Sequence, residues 1–169
     1  SFSSPDIIDY YLTPYDLGYG PIVKFDHDFP GRQALEEFAK RPRRKKVTLV
    51  LDSAEVTRAI GTMFQAKDRA KYFDFPSAVY ATLPYDRVMK GNRLVGLSTW
   101  CGYSANEGKM LTLAMLDTEH ATPGAEVTFV WGEDDGGLSK PTVERHVQVE
   151  IKATVAPAPY VEGARTRYR

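Results

Sequence analysis

The residues of this chain that could carry chemistry are few, and their spacing argues against most of what they suggest. Asp26-His27-Asp28 looks like a metal or acid/base cluster. On an extended strand, however, Asp26 and Asp28 share one face while His27 points to the other, and Asp28 stands where it can cap the helix that follows. His120 and His146 have no Cys, Glu or His companion at a ligand spacing such as H-x-x-x-H. Cys101 is the only cysteine. It lies between Trp100 and Gly102-Tyr103 with no helix start nearby to lower a thiol pKa, so it reads as a buried structural thiol. Gly18 and Gly20, and the pair Gly136-Gly137, lack the strand-to-helix context and the lysine of a phosphate loop. No G-x-S-x-G nucleophile elbow occurs. Asp6, Asp9, Tyr10, Tyr11, Tyr15 and Tyr19 form a Tyr/Asp-rich opening, able either to line an aromatic-ligand pocket or to pack on further protein surface.

Composition narrows the classes further. Lys+Arg and Asp+Glu are both 22, a net charge of +0, so there is no general electrostatic footprint for nucleic acid. The basic run Arg41-Pro42-Arg43-Arg44-Lys45-Lys46 reads first as a solvated loop and second as a phosphate-binding patch. One cysteine allows no disulfide within the chain, which suits a reducing cytoplasm. No apolar run approaches the ~18 residues of a membrane-spanning helix. Hydrophobic residues make up 43% of 169, enough for one ordinary domain with a core, or a small domain plus part of another.

These residues must be positioned by elements that the hydrophobic pattern outlines. Residues 1–19 read as an extended, loop-like lead-in. Pro21 to Asp28 alternates and predicts a strand. Asp28 and Pro30 predict a helix start, with Ala34, Leu35 and Phe38 on one face and Pro42 as the stop. Lys46 to Leu51 is rich in β-branched residues and predicts a strand. Asp52 and Glu55 have capping-box spacing and predict a helix from Ser53 to about Gln65. Ala66 to Pro76 reads as an irregular loop. From Ser77 onward the pattern is all-β. Strands are expected at Val79–Leu83, Tyr85–Lys90, Arg93–Trp100, Met110–Leu116, Glu126–Trp131 and Val143–Val155. Turns are expected at Gly91-Asn92, Gly102–Gly108, Pro123-Gly124 and Asp134–Gly137. Such spacing predicts a small closed barrel or sandwich. The fold class is therefore α+β: a short mixed α/β N-terminal segment, residues 1–70, followed by an antiparallel Greek-key or jelly-roll-like β-barrel, residues 71–169.

Four segments in order carry a resemblance. They are Leu12 to Leu35 (LTPYDLGYGPIVKFDHDFPGRQAL), Val95 to Leu116, Pro123-Gly124-Ala125-Glu126-Val127, and Val155-Ala156-Pro157. The series resembles the C-terminal portion of the aminomethyltransferase (glycine cleavage T-protein) superfamily. Tyr11 to Gly20 and Phe25 to Phe29 are most similar to its tetrahydrofolate-dependent vanillate/syringate O-demethylases, whereas the Tyr15-Asp16 pair and the long Phe64 to Ser77 segment depart from the aminomethyltransferases proper.

The resemblance implies the back end of a cytoplasmic methyltransferase. Residues 1–70 would end its folate-binding domain, and 71–169 would be its barrel. The methyl group of a methoxylated aromatic acid would pass to tetrahydrofolate. The partners would be the N-terminal domains of the same protein and a small-molecule methyl donor, without nucleic acid, membrane or metal. The segment alone would be inactive, with no catalytic residue of its own. The resemblance further implies that Trp100, Tyr103, Tyr160, Arg165 and Tyr168 touch the cofactor: the aromatics by stacking, Arg165 by pairing with a glutamate carboxylate of its tail. The basic run could lie near a polyglutamylated tail. The alternatives are an aminomethyltransferase of glycine cleavage and a non-catalytic barrel module for interdomain docking.

Overall fold

A computed structural model describes residues 1–41, 44–73, 75 and 85–167. Six strands close into a ring: β1 (Arg44–Leu51), β2 (Asp86–Lys90), β3 (Arg93–Ser104), β4 (Lys109–Asp117), β5 (Glu126–Trp131) and β6 (Val149–Ala156). The order around the ring is β1-β4-β3-β2-β5-β6, with every neighbouring pair antiparallel. Strands β2, β3 and β4 form a meander, and β5 returns beside β2, which is a Greek key. The expected α+β barrel is thus what the chain forms.

Alternation explains the ring. Val47, Leu49, Leu51, Val88, Phe129, Ile151, Ala153 and Val155 are buried together in its interior, one side chain in two along each strand. Gly96 lies opposite Leu116 and Val88. A Cβ at Gly96 would sit 2.4 Å from the Met115 carbonyl oxygen, so only glycine lets β3 and β4 approach this closely. The β2–β3 hairpin turns at Gly91, whose φ of +57° is the left-handed region that glycine enters freely.

Several expectations meet the structure well. Strand β5 has the expected bounds. The Gly91-Asn92 hairpin joins the expected strands, and the turn-rich stretch before β4 shrinks only because β3 continues to Ser104. Helix α2 (Ser53–Gly61) is capped by Asp52, whose Oδ1 accepts the Glu55 N–H at 2.9 Å. It gives way to a 3-10 turn at Thr62–Phe64 rather than continuing to Gln65.

Others do not. Pro21 to Asp28 is no strand: Gly20–Ile22 is a 3-10 turn, and the remainder is irregular with no buried residue. Alternation alone does not make a strand when no neighbour accepts its hydrogen bonds. Helix α1 (Arg32–Ala39) starts after Gly31 with no side-chain cap, so Asp28 does not cap it, and none of its residues is buried. Strand β6 begins at Val149, not Val143. Before it, Val147 makes an isolated bridge to Ala70. Strand β1, grouped above with the mixed segment, stands between β4 and β6. The barrel therefore takes one strand from before residue 71. The expected strand at Val79–Leu83 and helix stop at Pro42 lie outside the described residues.

Strands β1, β3 and β5 run one way and β2, β4 and β6 the other, which gives the barrel two distinct ends. At the end where β1, β3 and β5 finish, the 62–75 connector crosses the mouth. Thr62 Oγ1 accepts from the Ala70 N–H at 2.8 Å, the Val147 N–H donates to the Arg69 carbonyl at 2.8 Å, and Trp131 Nε1 donates to the Lys71 carbonyl at 2.8 Å. Phe73 stacks on Trp131 at 4.6 Å and Phe75 tilts against Tyr103 at 5.7 Å. The connector thus runs from β6 and β5 across to β3.

Candidate functional site

Beside this mouth lies a cleft of about 820 Å³, lined by Ser1, Phe2, Tyr10, Tyr85 and Thr99 on one side and by Glu133, Asp134, Asp135, Ser139 and Lys140 on the other. Its aromatic wall is built locally. The Phe2 N–H donates to the Tyr85 carbonyl at 2.9 Å, the Tyr85 hydroxyl donates to the Tyr10 carbonyl at 3.2 Å, and the Tyr10 and Tyr85 rings stack at 6.1 Å. The Ser1 nitrogen lies 2.6 Å from Asp86 Oδ1, and Ser1 Oγ donates to the Val130 carbonyl at 2.7 Å. Burial pushes the Asp86 carboxyl upward.

The ionisable wall comes from the loop after β5. Glu133 is buried. Its Oε1 accepts from Lys71 at 2.9 Å and from Lys140 at 2.8 Å. Burial pushes its carboxyl up, but the bonds and charges of Lys140 and Lys71 outweigh that and hold it down at about 2. His146 is wedged beneath. Its Nε2 accepts the Glu133 backbone N–H at 2.8 Å, and its Nδ1 lies 2.8 Å from the Glu144 carbonyl, which assigns the proton to Nδ1. Asp134 is bonded to Arg87 and to Gln148. Hydrogen bonds from Ser139, then from the Gly137 and Leu138 backbone, hold Asp135 at about 2.

Chemically, this wall anchors chain segments. Near neutral pH, Glu133 and Asp135 are ionised and already engaged, so neither is poised to give a proton. Glu133 ties the connector, through Lys71, to the loop after β5. This cluster escaped the sequence reading because Lys71, Glu133 and His146 are brought together only by the closed ring. The one local signal is the position of Glu133 between Trp131-Gly132 and the Asp-Asp-Gly-Gly turn.

The other nominated residues are dispersed. His27 lies on the surface, with Nδ1 2.8 Å from Asp26 Oδ1, so the two meet rather than face apart. His120 Nε2 is 3.4 Å from Glu119 Oε1. Cys101, read above as buried, is half-buried and packed against the core, and desolvation pushes its thiol well up. Among the described residues, no three His, Cys, Asp or Glu are placed to hold a metal ion.

Trp100 and Tyr103 sit near the end of β3, opposite Leu113 and Met110, and Tyr103 is 39% exposed. Tyr160 and Arg165 follow β6, three places round the ring from β3, and leave from the opposite barrel end. At ~3.3 Å per residue, an eight-residue strand such as β1 separates the ends by roughly 20 Å or more along the tilted strands. Arg165 Nη1 donates to the Pro159 carbonyl at 2.6 Å and the Tyr160 carbonyl at 2.5 Å, holding the tail turn that leads into α3 (Glu162–Thr166). Tyr168 lies outside the described residues.

No family model matches the chain. Comparison with known proteins finds a syringate O-demethylase of a Sphingobium species, 57% identical over 168 residues, covering 99% of this chain and 36% of that protein. A sesamin methylene transferase of a Sinomonas species is 30% identical over 168 residues, 94% of this chain and 35% of the relative. An aminomethyltransferase of Streptomyces coelicolor is 33% identical over 121 residues, 68% of this chain and 26% of the relative. The chain thus spans about a third of the length of the first two relatives.

Proposed function

The chain belongs to the aminomethyltransferase superfamily, on the side of syringate O-demethylase, and we propose on that footing that it is the barrel part of a tetrahydrofolate-dependent methyltransferase. The whole protein would remove the methyl group of a methoxylated aromatic acid and pass it to tetrahydrofolate, in the cytoplasm, within aromatic catabolism. The observation that carries this reading is 57% identity sustained over 99% of the chain. In this proposal, residues 1–70 bring the end of the folate-binding part together with the first barrel strand, and the rest of the barrel follows.

The reaction transfers a methyl group from an aryl ether oxygen to a folate nitrogen, and the departing phenoxide takes up a proton. Rate would come mainly from holding donor and acceptor in line. The residues of this chain serve that by placement. Glu133, Lys71 and His146 fix the mouth of the barrel, and the Tyr10–Tyr85 stack fixes the cleft beside it. Trp100 and Tyr103 stand near the end of β3, while Tyr160 and Arg165 follow β6, which finishes at the other end of the barrel. Of these, Tyr103 is the candidate for stacking, because it stands exposed at the mouth, while Arg165 already spends donors on its own tail. No proton-transfer step is assigned to a residue of this chain.

A second reading, aminomethyl transfer, is favoured only by the shorter matches to aminomethyltransferases. Assaying the native full-length polypeptide with tetrahydrofolate and, side by side, syringate, vanillate and a lipoyl-bound aminomethyl donor separates the two. Methyltetrahydrofolate formed from a methoxyaromatic supports the first reading. Turnover of the aminomethyl donor alone replaces it with the second.

A further inference from the structure

The two ends of the barrel differ in chemistry. Where β2, β4 and β6 finish, the surface is charged and self-paired: Arg93 bonds Glu119 at 2.8 Å, Arg44 and Arg93 flank Asp117 at 3.8 and 3.7 Å, and Lys90 Nζ donates to the Glu126 carbonyl at 2.6 Å. The mouth end, besides its charged cleft, carries exposed apolar side chains. The connector turns Phe73 inward onto Trp131 but leaves Phe64 87%, Tyr72 42% and Met63 41% exposed, and Phe75, tilted against Tyr103, is 54% exposed. A cavity of about 90 Å³ lies among Ala59, Ile60, Met63, Tyr72 and Phe75. Grouped exposed side chains of this kind mark an interaction surface.

Ser1 is at this same end, its hydroxyl bonded to the Val130 carbonyl beside the cleft. Residues preceding Ser1 in a longer chain would leave from here. The syringate O-demethylase relative is nearly three times as long as the stretch matched, since this chain covers 36% of it.

We propose that the mouth end of the barrel, faced by Met63, Phe64 and Tyr72, is the surface on which the preceding part of the same polypeptide packs. The inference rests on the reading of the chain as one part of a protein of its relatives' length. It adds which end is covered and which residues are buried there. The charged end stays in solvent.

Hydroxyl-radical footprinting of the native full-length polypeptide tests it, with residue-resolved mass spectrometry as the readout. Met63, Phe64 and Tyr72 should be modified roughly tenfold more slowly than their exposure here dictates, as buried interface residues are. Leu94 and Val161, exposed elsewhere, should react at full rate. Full reactivity of Phe64 and Met63 overturns the proposal. So does protection that disappears on dilution together with a halving of mass in light scattering, which assigns the face to a second copy. Methyl transfer is assayed on the same preparation. Protection without turnover leaves the docking face standing and removes the demethylase reading, whereas turnover with an unprotected Phe64 removes the docking face alone.

Discussion

At the scale of single residues, Glu133 decides most. It is buried between Lys71 and Lys140, with His146 below. Glu133→Gln keeps the shape and removes the charge, leaving the Lys71 ammonium without its counter-ion. The expected loss is about 2–3 kcal/mol in urea unfolding at neutral pH. The sign of its pH dependence follows from linkage. A carboxyl held at about 2 rather than its ordinary 4.5 contributes stability above the unfolded value and loses it as pH falls toward the folded one. Wild-type stability should therefore fall more steeply than that of Glu133→Gln between about pH 5 and pH 2, and parallel curves would remove Glu133 from this role. Gly96→Ala belongs to the same scale. Its added Cβ meets backbone at 2.4 and 2.9 Å, so β3 and β4 must separate. A loss of at least about 3 kcal/mol, or failure to accumulate folded protein, is expected. Circular dichroism melts give the answer, and an unchanged melting temperature would mean that the strands are not packed this closely.

At the scale of elements, the joint between β1 and α2 is informative. The β1–β6 ladder ends at Leu51–Ala153, yet the pairing continues. The Asp52 N–H donates to the Lys152 carbonyl at 2.8 Å, and the Lys152 N–H finds Glu55 Oε2 at 2.6 Å. The first turn of α2 thus stands in for the next strand residue. Asp52→Ala should cost about 1 kcal/mol as a lost cap. Glu55→Ala should cost as much or more, because it leaves a strand N–H without its partner, and it should raise amide exchange at Lys152, which Asp52→Ala should not. Equal exchange in both variants would contradict this joint. The Asp52-Glu55 spacing announced the helix, but not that Glu55 would turn away from the cap toward β6. Likewise the residues of β5 and of the Gly91-Asn92 hairpin were readable because their signals are local. The alternation at Pro21 to Asp28 misled because a strand needs a partner as well as a pattern.

At the scale of the whole molecule, sequence spacing could tell which residues alternate but not where each strand stands in the ring. For that reason the place of β1 between β4 and β6, and the opposite directions in which β3 and β6 carry Trp100 and Tyr103 on the one hand and Tyr160 and Arg165 on the other, emerge only with the closed ring. Glu133, Lys71 and His146 could not be joined at all. The family, by contrast, was legible, since it is carried by an ordered series of short segments from Leu12 to Pro157. Closure of the ring by β1 also has a consequence for dissection. A fragment starting at Ser77 lacks the strand between β4 and β6 and exposes two edges. It should be unfolded or aggregated, whereas a fragment starting at Arg41 should retain the cooperative melt of the barrel. A folded, monomeric 77–169 fragment would contradict the ring.

The central claim is that this barrel serves methyl transfer from an aromatic ether to tetrahydrofolate. The most direct measurement follows a labelled methyl group from [methyl-¹³C]syringate through turnover by the native full-length polypeptide, by mass spectrometry. The account predicts the label in methyltetrahydrofolate, in equal amount to the phenol formed and only when tetrahydrofolate is present. Label released as formaldehyde or methanol, or demethylation that proceeds equally well without tetrahydrofolate, would contradict it.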